Sequence, residues 1–507
     1  MAPIVLTTIN ARFIHASLGL RYLHANLGDL RAHAALVEFE NSQSAREIVE
    51  ALIAHQPTIV GFGVYIWNVA RTREVVSLLK RVSPGIVVVI GGPEVSYEYE
   101  QMPLFQLSDY LITGEADKAF AALANEIMAG RRPLDKVIHG GLPALNEVAL
   151  PYSLYSDKDI AQRVIYVEVS RGCPFTCEFC LSSVDIPVRH FDHTKVLAEI
   201  EALHARGART FKFIDRTFNL NLRVASDILH FFLERMEPGL FVHFEMVPDR
   251  FPEKLRGLVS QFPPGALQLE IGVQTLNPLV GELISRRHNI DTVVNNLSFL
   301  RNSTAAYLHV DLIVGLPGEN LASFGAGFDR LVSIDPQEIQ VGILKRLRGT
   351  PLVRHDETFD MRYSEDPPYE IISTRDISFI DMRRMERFAR YWDLVGNSGN
   401  FRDSRSLIWA AGGSPFESFM ELSDWMFERV GRSYSIELKA LTDFMFQFLT
   451  EVRKLDVAEV GARLAGDYQR GGRSDLPAAL RSYRSVPREE VGVSGRGARR
   501  QQRVIRA

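Results

Sequence analysis

The stretch SRGCPFTCEFC at 170–180 decides how the rest of the chain is interpreted, because it holds every cysteine among the 507 residues. The thiols stand at Cys173, Cys177 and Cys180, a C-x3-C-x2-C spacing. An odd count of three is far too low for a disulfide framework, so we expect a reducing compartment. Buried inert thiols have no reason to crowd into one loop. The spacing therefore predicts a metal or cluster site.

Two kinds of site compete for these thiols. A zinc ion would need a fourth ligand, for which His190 and His193 stand downstream. An iron–sulfur cluster suits soft thiolates, and three ligands on a four-iron cube leave one iron open to a substrate or cofactor. An open iron is a catalytic feature.

The cysteine motif, with Phe179 just before the last cysteine, resembles the signature of the radical S-adenosylmethionine superfamily. The resemblance implies that Cys173, Cys177 and Cys180 hold a [4Fe–4S] cluster whose fourth iron chelates S-adenosylmethionine. One electron then splits the sulfonium to give methionine and a 5′-deoxyadenosyl radical. By the same resemblance, the backbone of Phe179 would lie near the adenine.

The sequence around the motif predicts the fold that such chemistry needs. Six strand-like runs alternate with helical stretches such as 195–207 and 224–236, and this alternation is typical of a parallel sheet. The predicted strands are 164–169, 211–215, 241–246, 267–273, 307–314 and 339–344. We expect a partial (βα)6 barrel. The cysteine loop follows its first strand, at the C-terminal mouth where barrel enzymes place their chemistry.

Polar residues and glycines near the other strand ends are candidates for holding S-adenosylmethionine. A carboxylate inside an apolar strand needs a partner, which the ribose hydroxyls would supply, and a planar guanidinium suits a carboxylate ligand. The glycine-rich segment GLPGE at 315–319 resembles the one that family members bring close to the adenine. The candidates are Asp215, Asn219, Glu245, Gln274, Arg286 or Arg287, and Gly315.

The N-terminal 150 residues carry a second α/β pattern. Five strand-like runs, at 4–9, 34–39, 58–64, 86–91 and 109–113, alternate with helical stretches at 18–27, 45–55, 70–82 and 118–130. This pattern predicts a doubly wound, Rossmann-like sheet that binds ligands beyond the carboxyl ends of its strands. Small-residue turns occur there, although each alone is typical of a tight turn. They contain Gly61, Gly63, Gly91, Gly92, Pro93, Gly114 and Glu115.

Taken together, GFGVYIWN, VVVIGGPE and YLITGEAD resemble the cobalamin-binding domain that is fused to many radical S-adenosylmethionine enzymes. We therefore expect a bound corrinoid. None of the 13 histidines has an Asp two residues before it, so the Asp-x-His-x-x-Gly motif that ligates cobalt in methionine-synthase-like domains is absent. The cobalt would therefore be held without that lower histidine. The Gly-x-Gly-x-x-Gly fingerprint of dinucleotide folds is also absent after the first strand.

Beyond the barrel the pattern becomes helical. Helical periodicity over 382–395, 418–432 and 436–455 carries aromatic residues at core spacing, and ARYWDLVGNSGNF resembles an uncharacterised helical C-terminal domain found in one branch of B12-dependent radical enzymes. The last segment, 481–507, has eight arginines and no apolar periodicity, and we expect it to be disordered. It lacks the interleaved aromatics that stack on bases, so we do not expect nucleic-acid binding.

The composition limits the partners and the location. A formal charge of −4 gives no pull toward nucleic acid or anionic lipid, and no apolar run approaches the ~20 residues that span a bilayer. Met1 leads into IVLTTI without a targeting pattern, so we expect a cytoplasmic protein. The expected domains are 1–150 for cobalamin, 155–352 for the radical core, 353–480 helical, and the tail 481–507.

Family resemblance predicts a cobalamin-dependent radical S-adenosylmethionine enzyme, specifically a class B methyltransferase. The deoxyadenosyl radical would abstract hydrogen from an unactivated carbon of a small molecule. Methylcobalamin would then donate a methyl group to the resulting substrate radical. An external flavodoxin or ferredoxin would supply electrons. One alternative keeps the cofactors for a ring-forming or oxidative rearrangement, and another is a non-catalytic iron–sulfur or zinc protein. No cysteine remains for a second cluster.

Overall fold

The computed structural model describes residues 2–184, 187–470 and 472–483. The chain divides into two compact units, and neither is a single continuous stretch. The first unit comprises 1–216 with the returning segments 345–353 and 364–370. The second comprises 217–344, 354–363 and the described residues between 371 and 483. Within the described residues, no helix is both long and apolar enough to cross a lipid bilayer.

A six-stranded parallel sheet forms the N-terminal part of the first unit, in the order β2-β1-β3-β4-β5-β6. The strands are β1 Ile4–Asn10, β2 Ala34–Glu40, β3 Ile59–Gly63, β4 Val87–Gly91, β5 Tyr110–Thr113 and β6 Val137–His139. Five were predicted. The sixth has three residues, which is too short a run to show a period. The switch of strand order between β1 and β3 is the doubly wound arrangement.

Five helices join or follow the strands of this sheet. They are α1 Leu18–Ala25, α2 Ala45–Ala54, α3 Val69–Val82, α4 Pro103–Leu107 and α5 Ala119–Met128. Their apolar faces bury the two sides of the sheet, with Val60, Val76 and Val88 in one core cluster and Leu6, Val89 and Phe120 in the other. A central strand with both faces covered reads as a continuous apolar run, and β1 is buried along its whole length.

The rest of the first unit carries the cysteine loop. It contains α6 Asp157–Gln162, β7 Ile165–Val167, β8 Ser170–Arg171, β9 Arg189–His190, α7 His193–Ala205 and β10 Thr210–Phe213. Strands β7 and β10 pair in parallel, with Phe211 opposite Ile165. Strands β8 and β9 pair antiparallel and flank the loop that contains all three cysteines.

Four parallel strands form the sheet of the second unit, paired in sequence order. They are β11 Phe241–Met246, β12 Leu267–Gln274, β13 Tyr307–Val314 and β14 Glu338–Ile343. Helices alternate with them: α8 Leu222–Glu234, α9 Glu253–Val259, α10 Pro278–Leu283, α11 Ile290–Ser303 and α12 Leu321–Ile334. All six strands predicted for the barrel are present, two in the first unit and four in this one.

The C-terminal part of the second unit is mainly helical, as the sequence predicts. After the short antiparallel pair β15 Arg362–Tyr363 and β16 Ile371–Ser373 come α13 Phe379–Val395, α14 Pro415–Val430, α15 Leu438–Gln447 and α16 Val457–Arg470. The helix predicted over 436–455 ends at Gln447, and a π-helical turn follows at Phe448–Val452. Of the predicted tail, 484–507 lie outside the described residues, and 481–483 end a 3₁₀ turn.

Candidate active site

A glycine turn and local hydrogen bonds shape the loop that contains the three cysteines. Gly172, at φ +92°, turns the chain out of β8 in a conformation that L side chains rarely adopt. Cys173 and Cys177 are buried, whereas Cys180 is partly exposed. The amide of Cys180 donates to the Cys177 carbonyl at 3.0 Å, and Ser183 Oγ donates to the Cys180 carbonyl at 2.7 Å. These bonds fix a turn around the last two cysteines.

The electrostatics of the thiols fit a site that needs bound metal. Burial raises the pKa of Cys173, and the nearby Cys180 and Cys177 raise it further, while Arg216 opposes them. Three thiolates gathered in one loop require positive charge to compensate them, which iron supplies. Among the described residues, no three His, Cys, Asp or Glu side chains converge as ligands of a single ion. A cube offers each thiolate a different iron, so its ligands need no such convergence.

Asp215 anchors the strand that leads into this loop. Both of its carboxylate oxygens accept from the amide of Val169, at 3.1 and 3.2 Å, and Oδ1 also accepts from the hydroxyl of Ser170. Burial raises the pKa of Asp215 to about 7, although the Ser170 hydrogen bond lowers it. Because its oxygens accept hydrogen bonds from Val169 and Ser170, Asp215 holds the chain at the start of the cysteine loop.

The glycine turns predicted for the corrinoid meet at one edge of the N-terminal sheet. In the register, Gly63 lies opposite Gly91, and Gly91 lies opposite Ile112, one residue before the end of β5. Gly63 and Gly91 carry no side chain at this edge, so a broad flat ligand can approach their backbone closely. The residues present fit a corrinoid in this respect.

Individual glycines at this edge serve different purposes. A Cβ on Gly61 would meet the ring of Phe120 at 2.8 Å, so its small size is required by the core. A Cβ on Gly92, at φ +115°, would meet the Val64 carbonyl at 2.5 Å. Pro93 then begins a short 3₁₀ turn, Pro93–Val95, and Gly114 adopts φ +71° after β5. Gly63 has only ordinary contacts around its Cβ position.

The sequence analysis did not identify Asn68, whose side chain holds this edge of the sheet by hydrogen bonds. Asn68 is fully buried, and its Nδ2 donates to Thr8 Oγ1 at 3.1 Å and to the Ile9 carbonyl at 3.0 Å. Its Oδ1 accepts from the amide of Tyr65 at 2.8 Å. The ring of Tyr65 stacks on Trp67, with centroids 4.5 Å apart, and Trp67 is 48% exposed. A single buried Asn produces no periodic pattern in the sequence, so only the structure reveals these hydrogen bonds.

Four strand positions of the second unit place ionisable side chains in one row. Glu245 lies opposite Glu270, Glu270 opposite His309, and His309 opposite Glu338. On β13 the alternate residues Leu308, Val310 and Leu312 are buried on the other face. The inward layers of barrels are usually filled by branched apolar residues. A row of ionisable side chains is therefore not explained by core packing.

The row is held by hydrogen bonds around His309. Its Nε2 lies 3.1 Å from Asp311 Oδ1, and its Nδ1 lies 3.2 Å from Glu338 Oε2. Burial lowers the pKa of His309, but the hydrogen bonds to Asp311 and Glu338 outweigh it and raise that pKa to about 10. Nε2 of His243 lies 2.9 Å from Glu270 Oε2. His309 is therefore an imidazolium between two carboxylates at neutral pH.

Gln274 and Arg286 come together at the carboxyl end of β12. The strand has a bulge between Gly272 and Gln274, where Gln274 adopts φ +71°. Arg286 Nη2 donates to the Gly272 carbonyl, so the guanidinium is held against this bulge. A cavity of about 530 Å³ opens beside it. It is lined by Asn277, Pro278, Gly281, Glu282, Arg286, Arg287, His288 and Ile290.

The remaining predicted residues are held by neighbouring protein groups. Asn219 donates from Nδ2 to the Val247 carbonyl at 2.8 Å and accepts the Val247 amide at 2.9 Å, so it bridges two loops. Gly315 has φ +89°, and a Cβ there would meet Ile371 at 2.6 Å. The side of Gly315 on which a Cβ would stand is thus filled by Ile371, and the predicted approach of this segment to adenine stays a prediction. Phe179 lies partly buried within the cysteine loop.

Three family models match successive parts of the chain. Residues 4–124 match the B12 binding domain, 167–331 match the Radical SAM superfamily, and 357–504 match a protein family of unknown function, DUF4080. This chain contains a B12-binding domain and a radical SAM domain. Both family resemblances and the fold class are thus confirmed, and the predicted cofactors are those of the two matched domains.

Among curated relatives, an uncharacterized methyltransferase of Pyrococcus horikoshii is 25% identical over 337 residues, which are 60% of this chain and 71% of that protein. The cobalamin-dependent radical SAM methyltransferase TokK of Streptomyces tokunonensis is 26% identical, over 61% of this chain and 49% of TokK. This chain therefore spans about half the length of TokK.

The solved structure of OxsB with aqua-cobalamin and S-adenosylmethionine bound has a TM-score of 0.63 to this radical SAM protein. The likeness covers 95% of this chain and 83% of OxsB at 13% identity. At that identity the comparison shows the fold, and the chemistry of each relative remains its own.

Proposed function

We propose that this radical SAM protein is a cobalamin-dependent methyltransferase that methylates an unactivated carbon of a small molecule. One observation carries the proposal: a single compact unit contains both the three-cysteine loop and the glycine-lined edge of the doubly wound sheet. An enzyme that combines a radical with a corrinoid methyl donor needs both binding elements. The methyltransferase names of the two curated relatives support the reaction class.

The residues that would hold each group follow from the site. Cys173, Cys177 and Cys180 would ligate the cluster, and the turns at Gly63, Gly91–Glu94 and Gly114 would face the corrinoid. When bound, these groups supply the electron that cleaves S-adenosylmethionine and the methyl group that is transferred. An external flavodoxin or ferredoxin is the proposed electron source.

The protein's own groups would bind and orient the S-adenosylmethionine. Arg286 borders the 530 Å³ cavity and offers a planar donor for its carboxylate. Gln274, in its strained bulge, and Glu245, in the polar row, are the proposed partners of its other polar groups. The contacts of Asp215, Asn219 and Gly315 are with the protein itself, so we assign them to positioning of loops.

The test uses the full chain, reconstituted anaerobically with iron, sulfide and hydroxocobalamin, and reduced in the presence of S-adenosylmethionine labelled at its methyl group. We expect iron and corrinoid to bind in the wild type, with formation of 5′-deoxyadenosine. Cys177→Ala should retain the corrinoid and lose deoxyadenosine formation. Label in a product isolated from an extract of candidate small molecules would support methyl transfer.

Two results would change the proposal in different ways. Deoxyadenosine formation with an unlabelled product would replace methylation by a ring-forming or oxidative rearrangement on the same cofactors. Bound zinc without iron, and no deoxyadenosine, would overturn the radical mechanism and leave a non-catalytic metal protein.

A further inference from the structure

Two arginines flank the cysteine loop and bind carboxylates at the end of strand β5. Arg171 and Arg189 lie directly opposite each other on the β8–β9 ribbon, and the chain between them contains all three cysteines. Both contact Glu115, which directly follows the turn at Gly114. We call Glu115, Asp117, Glu168, Arg171 and Arg189 the arginine clamp.

All three guanidinium nitrogens of Arg171 donate to carboxylates, and Nη2 lies 3.3 Å from Asp117 Oδ1. Nη1 lies 2.8 Å from Glu115 Oε2 and 2.8 Å from Asp117 Oδ2, while Nε lies 2.9 Å from Glu168 Oε1. Arg189 donates from Nη2 to Glu115 Oε1 and from Nη1 to the Pro143 carbonyl at 3.1 Å. Multidentate charge-assisted bonds fix orientation as well as distance.

Burial makes these bonds strong. Side-chain exposure is 13% for Arg171, 15% for Glu115 and 5% for Asp117. The guanidinium of Arg171 also lies 4.6 Å above the ring of Tyr22. Removing one partner of a buried charge pair leaves the others uncompensated, so the clamp tolerates little movement of either side.

The backbone on the corrinoid side of the clamp is equally constrained. Gly140 donates from its amide to the Thr113 carbonyl at 2.8 Å, and a Cβ on Gly140 would meet the Glu115 carbonyl at 2.1 Å. Glu115 is therefore held by tight backbone packing on one side and by two arginines on the other. Its side chain is committed to the clamp, whereas the sequence predicts that it binds the cofactor.

We propose that the arginine clamp positions the cluster-binding loop relative to the corrinoid-binding edge. Arg171 is two residues from Cys173, and Glu115 is one residue from the turn at Gly114, so a displacement on one side is transmitted to the other within a few covalent bonds. The clamp residues are positioning residues. This inference rests on the proposed function, because it assumes that one of the two loops holds the cluster and the other faces the corrinoid.

The experiment compares full-length wild type with Arg171→Met, Arg171→Lys and Glu115→Gln. Arg131→Met is the matched control, because the Arg131–Glu126 pair is an exposed ion pair in the same unit. Amide hydrogen exchange is measured over residues 172–184 in the metal-free chain. We expect Arg171→Met to raise exchange there by about tenfold, Arg171→Lys to raise it less, and the control to match wild type.

A spectroscopic readout separates positioning from general loosening. Chains loaded with iron, sulfide and hydroxocobalamin are reduced, and the magnetic interaction between cob(II)alamin and the reduced cluster is measured by paramagnetic resonance. We expect that interaction to change in Arg171→Met and Glu115→Gln at unchanged cofactor content, with Arg171→Lys closer to wild type. In the double variant Arg171→Met/Glu115→Gln we expect the two effects to be less than additive, because both substitutions remove or weaken the Arg171–Glu115 ion pair.

The outcomes distinguish this inference from the proposed function. Unchanged exchange over 172–184 in Arg171→Met would overturn the clamp, whatever the cofactor content. Changed exchange with an unchanged magnetic interaction would reduce the clamp to local stability and also overturn its positioning role. Failure of the wild type to bind hydroxocobalamin would overturn the proposed function, and the exchange measurement would then decide the clamp by itself.

Discussion

The phenolic hydroxyl of Tyr369 donates a 2.7 Å hydrogen bond to Oε1 of Glu94, across 275 positions of sequence. Glu94 is 4% exposed and directly follows the Gly92-Pro93 turn. Arg348 Nε lies 3.3 Å from the same oxygen. Two segments that follow the last barrel strand in sequence thus return to the first unit, where they hold the turn that is proposed to face the corrinoid.

Removing this hydrogen bond should weaken the turn. Tyr369→Phe leaves a buried carboxylate with one donor fewer, and we expect a loss of about 1–3 kcal/mol in the free energy of unfolding. Urea denaturation measures it. Tyr434→Phe is the control, since Tyr434 is 65% exposed. An equal change in both variants would show that the bond to Glu94 carries no special weight.

A methyl group at Gly92 should be strongly unfavourable. The Cβ of Gly92→Ala would lie 2.5 Å from the Val64 carbonyl at φ +115°, so we expect destabilisation by more than about 1 kcal/mol and weaker binding of hydroxocobalamin. Gly85→Ala is a matched control, because nothing lies within 4 Å of its Cβ position. Wild-type corrinoid affinity in Gly92→Ala would contradict a role for this turn.

Loss of the Asp215 anchor should reduce cluster loading. Asp215→Ala frees the amide of Val169 and the hydroxyl of Ser170, both near the start of the cysteine loop. We expect lower iron content per chain after reconstitution, with Asp215→Asn intermediate because its amide oxygen still accepts. Iron and sulfide analysis gives the result. Full iron loading in Asp215→Ala would show that cluster binding does not depend on the hydrogen bonds of Asp215.

Arg286 should contribute to the affinity for S-adenosylmethionine through its planar donors. We expect Arg286→Lys to raise the dissociation constant by about tenfold, since a lysine makes a single point contact and cannot bind a carboxylate bidentately. Equilibrium dialysis with cluster-loaded protein measures it. Arg301→Lys, at an ion pair with Asp335, controls for the general effect of the substitution. Equal affinities would assign Arg286 to the bulge at Gly272 alone.

The polar row predicts a stability change in the alkaline range. The pKa of His309 is about 10 in the folded chain and about 6.5 when unfolded, so its stabilisation is complete below pH 6.5 and disappears as the pH rises through 10. His309→Gln should lower the stability by roughly 3 kcal/mol at pH 6.5 and flatten the loss between pH 7 and 10. Thermal unfolding across that range tests it. A parallel pH dependence in both proteins would contradict the assignment.

Much of this architecture could be predicted from local patterns. The predicted strands 241–246 and 307–314 coincide with β11 and β13. They could be predicted because a strand covered by helices has continuous or alternating apolar residues in its sequence. The cysteine triplet and the glycine turns identified both families, since their spacing is local to one loop or strand end. The longer helices and strands thus carry their own signal in neighbouring residues.

Side-chain partners could not be predicted in the same way. Glu115 and Asp215 were expected to face ligands, yet their oxygens bind Arg171 and Arg189 in one case and Val169 and Ser170 in the other. A carboxylate next to a glycine turn has the same sequence pattern in either role. Which partner it meets depends on strand register and on which loops the sheets bring to one edge.

The sequence by itself determined the resemblance to the two domain families, every strand of the two large sheets except β6, and the location of the thiols, because each depends on residues close together in the chain. Only the tertiary structure decided that Tyr369 fastens the turn after Gly92, that His309 lies between Asp311 and Glu338, and that two arginines bind Glu115. These pairings join residues as far as 275 positions apart, and buried charges accept only the partners that folding places within hydrogen-bonding distance.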